Sequence, residues 1–314
     1  MSDAIEKVFI AGAGQMGPGI AMSVALAGCH TWMTDIVPAS LTEGVKKFNE
    51  NLNFLVEHEV ITPAEADTAR SRLLPVPDLS LAAQADLLIE CIVERLPVKQ
   101  EFFKHVDEIC PLSTILASNT SGLRISDIAA LMKHPERAVT THFWNPGHLM
   151  PLVEVIQGEK TSDETVERVY SFLKLCGKQP VIGRKDTPGQ ICNRLFQAVI
   201  REAVYIVQSG IASVQDVETA VKCGMGIRFP VYGPLEHLDV VGLDLGLAVQ
   251  STVLPDLCNS TEAGDYIREL VAKGDLGVKT GRGFYDWSRR SVDQLKQERD
   301  LFLVERLKAT RKVM

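Results

Sequence analysis

Two residues in the middle of the chain stand out for their chemistry. They are His142, in Val139-Thr140-Thr141-His142-Phe143-Trp144-Asn145-Pro146-Gly147-His148, and Glu154, in Leu152-Val153-Glu154-Val155-Ile156. An imidazole titrates near neutrality, so it suits proton transfer to and from a hydroxyl. Glu154 is a charge inside an apolar run, and a lone buried carboxylate is costly unless it is paired. Asn145-Pro146-Gly147 is a strong chain-reversal signal that could bring the two segments together. A carboxylate on one ring nitrogen fixes the tautomer and stabilises the imidazolium, as a base and its orienting group do elsewhere. The same pattern is equally compatible with a structural Glu154 paired to an Arg or Lys, and with His142 as an ordinary satisfied histidine.

A second constellation lies at the start of the chain. Val8 to Ala11 reads as a buried parallel strand. Gly12, Gly14 and Gly17 follow at G-x-G-x-x-G spacing, ahead of an apolar helix pattern (Ile20, Val24, Ala27) closed by Gly28. Gly12 allows a tight turn, Gly14 lets the backbone approach a pyrophosphate, and Gly17 lets helix and strand pack closely. The phosphates would sit on unpaired N–H groups at the helix start, around Gln15 and Met16. The next apolar run, Thr31 to Thr34, ends in Asp35, where a carboxylate can hold the ribose hydroxyls of NAD. It would repel the extra phosphate of NADP, and no Lys or Arg follows until Lys46. The expected cofactor is NAD, and the expected chemistry is hydride transfer. No metal site is expected.

These groups need a scaffold. Short apolar strands (86–92, 114–118) alternate with helical patterns, which argues for a parallel, doubly wound α/β sheet of Rossmann type. Ligands of such sheets lie beyond the carboxyl ends of the strands. Those ends carry Asp35, Glu94 and Ser118-Asn119-Thr120-Ser121. Residues 38–73 read as an inserted helical hairpin, with Thr62-Pro63-Ala64-Glu65 as the start of its second helix. Between Lys47 and Arg70 this hairpin holds Glu50, Glu57, Glu59, Glu65 and Asp67 but no Lys or Arg. A helix over 163–176 and a strand over 180–183 close the first domain, 1–184. From Lys185-Asp186-Thr187-Pro188-Gly189 onward helical patterns replace strands, so 185–314 reads as a second, smaller all-α domain. Its last helix, Asp293 to Arg311, is charge-rich and reads as solvated or subunit-crossing.

The totals narrow the function classes. The chain has 314 residues, enough for two domains of ordinary size. A formal charge of −7 without a basic stripe argues against nucleic acid. No run of 18 apolar residues occurs, so no membrane span is implied. The stretch Met1 to Lys7 lacks the regions of a signal peptide, and seven scattered cysteines without a C-x-x-C pair suit a reducing cytosol. A cytoplasmic protein acting on a small molecule is expected.

Six motifs occur in order: Gly12-Ala13-Gly14-Gln15-Met16-Gly17, Ser118-Asn119-Thr120-Ser121, His142-Phe143-Trp144-Asn145-Pro146, Leu152-Val153-Glu154-Val155, Asp186-Thr187-Pro188-Gly189 with Asn193-Arg194, and Lys279-Thr280-Gly281-Arg282-Gly283-Phe284-Tyr285. As a set the series resembles the L-3-hydroxyacyl-CoA dehydrogenase family over residues 7 to about 287. The resemblance implies reversible oxidation of an L-3-hydroxyacyl-CoA to the 3-oxoacyl-CoA, as in fatty acid metabolism, by a homodimer joined through the helical domain. It makes His142 the base and Glu154 its partner. It gives Ser121 and Asn193 the substrate oxygen, and places Asn145 and Glu94 in the site. Glu94 and Asn119 join Gly12, Gly14, Gln15, Met16, Gly17 and Asp35 on the cofactor.

Two features depart from fatty-acyl members: the acidic hairpin, which would repel the phosphates of CoA, and Arg228. Arg228 looks more like the branch of L-gulonate 3-dehydrogenase and lambda-crystallin, and its relatives acting on small ring-bearing acids. There an Arg fork could grip a free carboxylate, although a structural loop Arg is the alternative. The readings are therefore an acyl-CoA dehydrogenase, a dehydrogenase of a small free 3-hydroxy acid, or, remotely, a non-catalytic crystallin-like protein.

Overall fold

The computed structural model describes residues 4–311, with side chains to 309. The first three residues, part of the stretch read for a leader, and the last three lie outside the described residues. The chain divides into two compact units, one reaching to Cys192 and resuming at Gln297, the other spanning Asn193–Lys296.

In the first unit eight strands form one sheet. They are β1 (Lys7–Ala11), β2 (His30–Thr34), β3 (Leu73–Pro75), β4 (Leu87–Glu90), β5 (Ile115–Ser118), β6 (Ala138–Phe143), β7 (Leu152–Ile156) and β8 (Gln179–Gly183), in the order β3-β2-β1-β4-β5-β6-β7-β8. The first six strands in that order pair in parallel. Side chains of β1 alternate between two cores, because successive residues of a strand point to opposite faces. Val8 and Ile10 enter one core; Phe9 and Ala11 enter the other. A strand buried on both faces must be apolar throughout, as this one is.

The expectation of a parallel sheet needs one correction. β7 runs antiparallel to β6, and β8 is parallel to β7, so the last two strands oppose the rest. The short connection over residues 144–151 is the reason, since a parallel return would need a crossover of a dozen residues or more.

Helices α1 (Gly17–Leu26), α2 (Pro38–Glu57) and α3 (Pro63–Arg72) follow β1 and β2. Thr62 and Glu65 form the expected capping box at the start of α3. α4 (Leu96–Ile109), α5 (Ile125–Ile128) and α6 (Asp163–Leu175) complete the crossovers. Strand order reverses between β1 and β4, and the crevice at such a reversal is where ligands of open α/β sheets bind.

The second unit is helical: α7 (Cys192–Gln208), α8 (Val214–Ala220), α9 (Pro234–Val241), α10 (Leu243–Val253) and α11 (Asp265–Ala272). α9 and α10 are separated at Gly242, whose φ of 96° ends α9. The domain limits also differ from the expected 184/185 division. The chain changes unit after Cys192, and α12 (Val292–Arg311) returns to the first unit from Gln297 onward. Val304 of α12 is 1% exposed, with Leu303 and Leu307 against the same core, so from Gln297 onward the helix is neither simply solvated nor part of the helical unit.

Candidate active site

The β6–β7 ladder places His142 directly opposite Glu154. Their side chains meet, Nδ1 to Oε2 at 2.8 Å. Glu154 is fully buried and His142 nearly so. The carboxylate has three further donors. Trp144 Nε1 donates to Oε2 at 2.9 Å, and the backbone N–H groups of Ile191 and Cys192 each donate to Oε1 at 2.9 Å. Burial works to raise the pKa of Glu154, but these hydrogen bonds outweigh it and hold the pKa down at about 2. Glu154 is therefore an anion near neutrality, and an ionised carboxylate only accepts. It follows that His142 carries its proton on Nδ1, leaving the lone pair of Nε2 free to take a proton. The alternative, a Glu154 paired to Arg or Lys, is not what the fold builds.

The glycine loop fits a dinucleotide. Gly12 has φ 112°, and a Cβ there would stand 2.6 Å from the Cys91 carbonyl oxygen. A Cβ on Gly17 would meet the Gly12 oxygen at 2.0 Å, so both positions are closed to larger residues by the fold itself. Gly14 differs: a Cβ there meets nothing within 4 Å. Its bareness serves no internal packing and leaves a cradle that a side chain would fill. Met16 caps α1 without a side-chain hydrogen bond, so its cap side chain leaves the helix's first N–H groups open to an anion. Gln15 is exposed on the same turn. Asp35 ends β2, where one carboxylate oxygen accepts from Ala13 N–H and the other from Val37 N–H, both at 2.9 Å. The oriented carboxylate keeps lone pairs for ribose hydroxyls.

Beyond β4 and β5 a polar network, buried at Glu90, Lys99 and Ser118, shapes the loop after β5. Glu94 Oε1 accepts from the backbone N–H groups of Ser121 (3.1 Å) and Gly122 (3.2 Å) and from the Thr120 hydroxyl. Its other oxygen lies 3.1 Å from the ammonium of Lys99, which also pairs with Glu90 at 2.6 Å. Glu90 in turn accepts from the Ser118 hydroxyl at 2.7 Å. Lys99 and Glu90 are almost wholly buried. Asn119 accepts the Phe143 N–H at 2.8 Å, linking this loop to the strand that bears His142. Glu94 and Asn119 thus hold the loop that presents exposed Ser121.

Asn145 is exposed on the turn just after β6. Asn193 stands at the start of α7 in the helical unit, and exposed Arg228 lies on a turn of that same unit. Sequence reading missed three contributors. The Thr187–Cys192 turn carries two left-handed residues, Gly189 (φ 77°) and Gln190 (φ 54°), which lead into the Ile191 and Cys192 donors. Lys178 is buried with Nζ donating to the carbonyls of Gly147 (2.7 Å) and Met150 (3.0 Å), and burial lowers its pKa to about 8. Trp144 is the third.

Comparison with known proteins decides the class. Residues 7–187 match the 3-hydroxyacyl-CoA dehydrogenase NAD binding domain, and residues 189–287 match the C-terminal domain of the same enzymes. A probable 3-hydroxybutyryl-CoA dehydrogenase of Bacillus subtilis (strain 168) is 39% identical over 91% of this chain and 99% of its own. The chain belongs to the 3-hydroxyacyl-CoA dehydrogenase family. Its members' chemistry makes it an NAD-dependent oxidoreductase acting on CH–OH groups. Two solved structures of the family bracket it. A crystal structure of a 5-formyl-3-hydroxy-2-methylpyridine 4-carboxylic acid 5-dehydrogenase is 32% identical over 99% of this chain and 98% of its own, with a TM-score of 0.90. The (S)-3-hydroxybutyryl-CoA dehydrogenase of Ralstonia eutropha is 36% identical over 90% and 99%, with a TM-score of 0.75.

Proposed function

We propose that this family member oxidises the hydroxyl of a small free carboxylate, ring-bearing or otherwise, rather than that of a CoA thioester. The observation that carries this reading is the unbroken likeness, TM-score 0.90 over 99% of the chain, to a dehydrogenase named for a pyridine carboxylate. The hairpin of α2 and α3 supports it. Glu50, Glu57, Glu59, Glu65 and Asp67 stand there with no cation between Lys47 and Arg70, a poor surface for the phosphates of CoA. A 3-hydroxyacyl-CoA substrate is the second reading, favoured by the 39% identity to the Bacillus enzyme.

In the proposed reaction Nε2 of His142 takes the hydroxyl proton, and the buried charge of Glu154 stabilises the imidazolium. Bound NAD, held by the Gly12–Gly17 loop and Asp35, supplies the hydride acceptor. By the family resemblance Ser121 and Asn193 are assigned to the substrate oxygen, and Arg228, whose guanidinium can pair with a carboxylate, to the acid group. In reverse the imidazolium returns the proton. We assign a homodimer joined through the helical unit, where Phe229, Val231, Leu235, Leu243 and Leu247 are exposed. We assign the cytoplasm on the seven cysteines, all free.

NADH oxidation with acetoacetyl-CoA, with free 3-oxo acids and with a formylpyridine carboxylate tests the reading. Turnover with free acids or the pyridine is the expected result. Turnover with the thioester alone overturns it.

A further inference from the structure

Trp144 and His142 address the same oxygen of Glu154. The imidazole reaches Oε2 at 2.8 Å and the indole N–H reaches it at 2.9 Å, while Oε1 is taken by two backbone donors. The rings lie beside each other, centroids 5.6 Å apart at 54°. A carboxylate's attraction for an imidazolium weakens as other donors draw on its charge, so the indole competes with His142 for Oε2.

We propose that Trp144 is a positioning residue that tunes the basicity of His142 by sharing Glu154 Oε2 with it. This rests on the reading of His142 as the proton acceptor. An Oε2 left to the imidazole alone would favour its protonated form more strongly. An indole is suited to the task, because its N–H only donates and never titrates. The surroundings leave few other controls. Cys192, at the start of α7, faces Glu154 with a thiol whose pKa burial raises, so it stays uncharged. Lys178, before β8, lies 5.9 Å over the Phe143 ring with its ammonium turned to carbonyls. Asn119, from the loop after β5, contacts the Phe143 N–H and is neutral.

The test is Trp144→Phe, which keeps an aromatic ring and removes the N–H. Its His142 imidazole, followed by NMR titration, is expected to bind its proton about half a pH unit or more higher than in the native protein. The acid limb of kcat/KM for alcohol oxidation is expected to move with it, with KM little changed. An unshifted imidazole in a folded Trp144→Phe protein overturns the proposal. The native protein offers a second measurement. Of the three indole N–H resonances expected from the three tryptophans, the one from Trp144 is expected to titrate with the pKa of His142. An indole signal indifferent to that titration also overturns it. Failure of the base assignment is told apart by His142→Gln, which would then keep its turnover while the native imidazole and indole still titrate together.

Discussion

His142 and Glu154 are direct cross-strand partners, and their side chains close at 2.8 Å inside the sheet. Antiparallel pairing makes this contact a matter of register. A slip of one residue in β7 would turn Glu154 to the face opposite His142. With Nδ1 committed to the carboxylate, Nε2 is the nitrogen left for chemistry.

Replacing His142 by Gln is expected to lower turnover by roughly 10²–10⁴-fold, the usual worth of a positioned general base. NADH affinity, measured by fluorescence titration, is expected to stay within about twofold of native, since the glycine loop and Asp35 are untouched. Native-like turnover in the variant would remove His142 from the mechanism.

Glu154 makes stability depend on acid. Its pKa in the fold is held at about 2, below the ordinary 4.5. The stabilisation is therefore fully present above pH 4.5 and is lost as pH falls toward 2. At about 1.4 kcal/mol per unit it amounts to about 3 kcal/mol. Denaturant melts of native protein and Glu154→Gln are expected to differ at pH 7 and to converge as pH approaches 2. A gap independent of pH would mean that the charge is not what the four donors stabilise.

The three loop glycines are expected to separate into two kinds. Gly17→Ala places a Cβ 2.0 Å from a carbonyl oxygen, and the protein should lose about 3 kcal/mol or more in a thermal melt. Gly14→Ala meets no atom within 4 Å, so its melting should be near native while NADH binding weakens by about tenfold or more. If Gly14→Ala binds NADH normally, the pyrophosphate does not lie over this loop.

Arg228 bears on the substrate. For Arg228→Ala, KM for a free hydroxy acid is expected to rise by about tenfold or more, the loss of one charge-assisted contact or pair. Any activity on acetoacetyl-CoA should change little. A KM for the free acid that stays put would hand the substrate back to the thioester reading.

Much of this protein was legible before any coordinate. The glycine spacing, the apolar strand ahead of it and Asp35 after it are local patterns, and local patterns survive into the fold because helix and strand periods are short. The His142–Glu154 contact was legible for the same reason: Asn145-Pro146-Gly147 folds the two neighbouring segments together. The Thr62 capping box is likewise written within four residues. What the tertiary structure alone decided depends on distance along the chain. Ile191 and Cys192 reach Glu154 across 37 and 38 residues, through a turn whose left-handed Gln190 no periodicity announces. Lys99 lies on α4, yet it is buried because Glu90 and Glu94, from the strand end and loop before that helix, close around it. The last helix reads as polar along its length, yet Val304 and its neighbours return it to the first core. A buried charge or a returning helix is stabilised by partners far off in sequence, and only the assembled sheet brings those partners within reach.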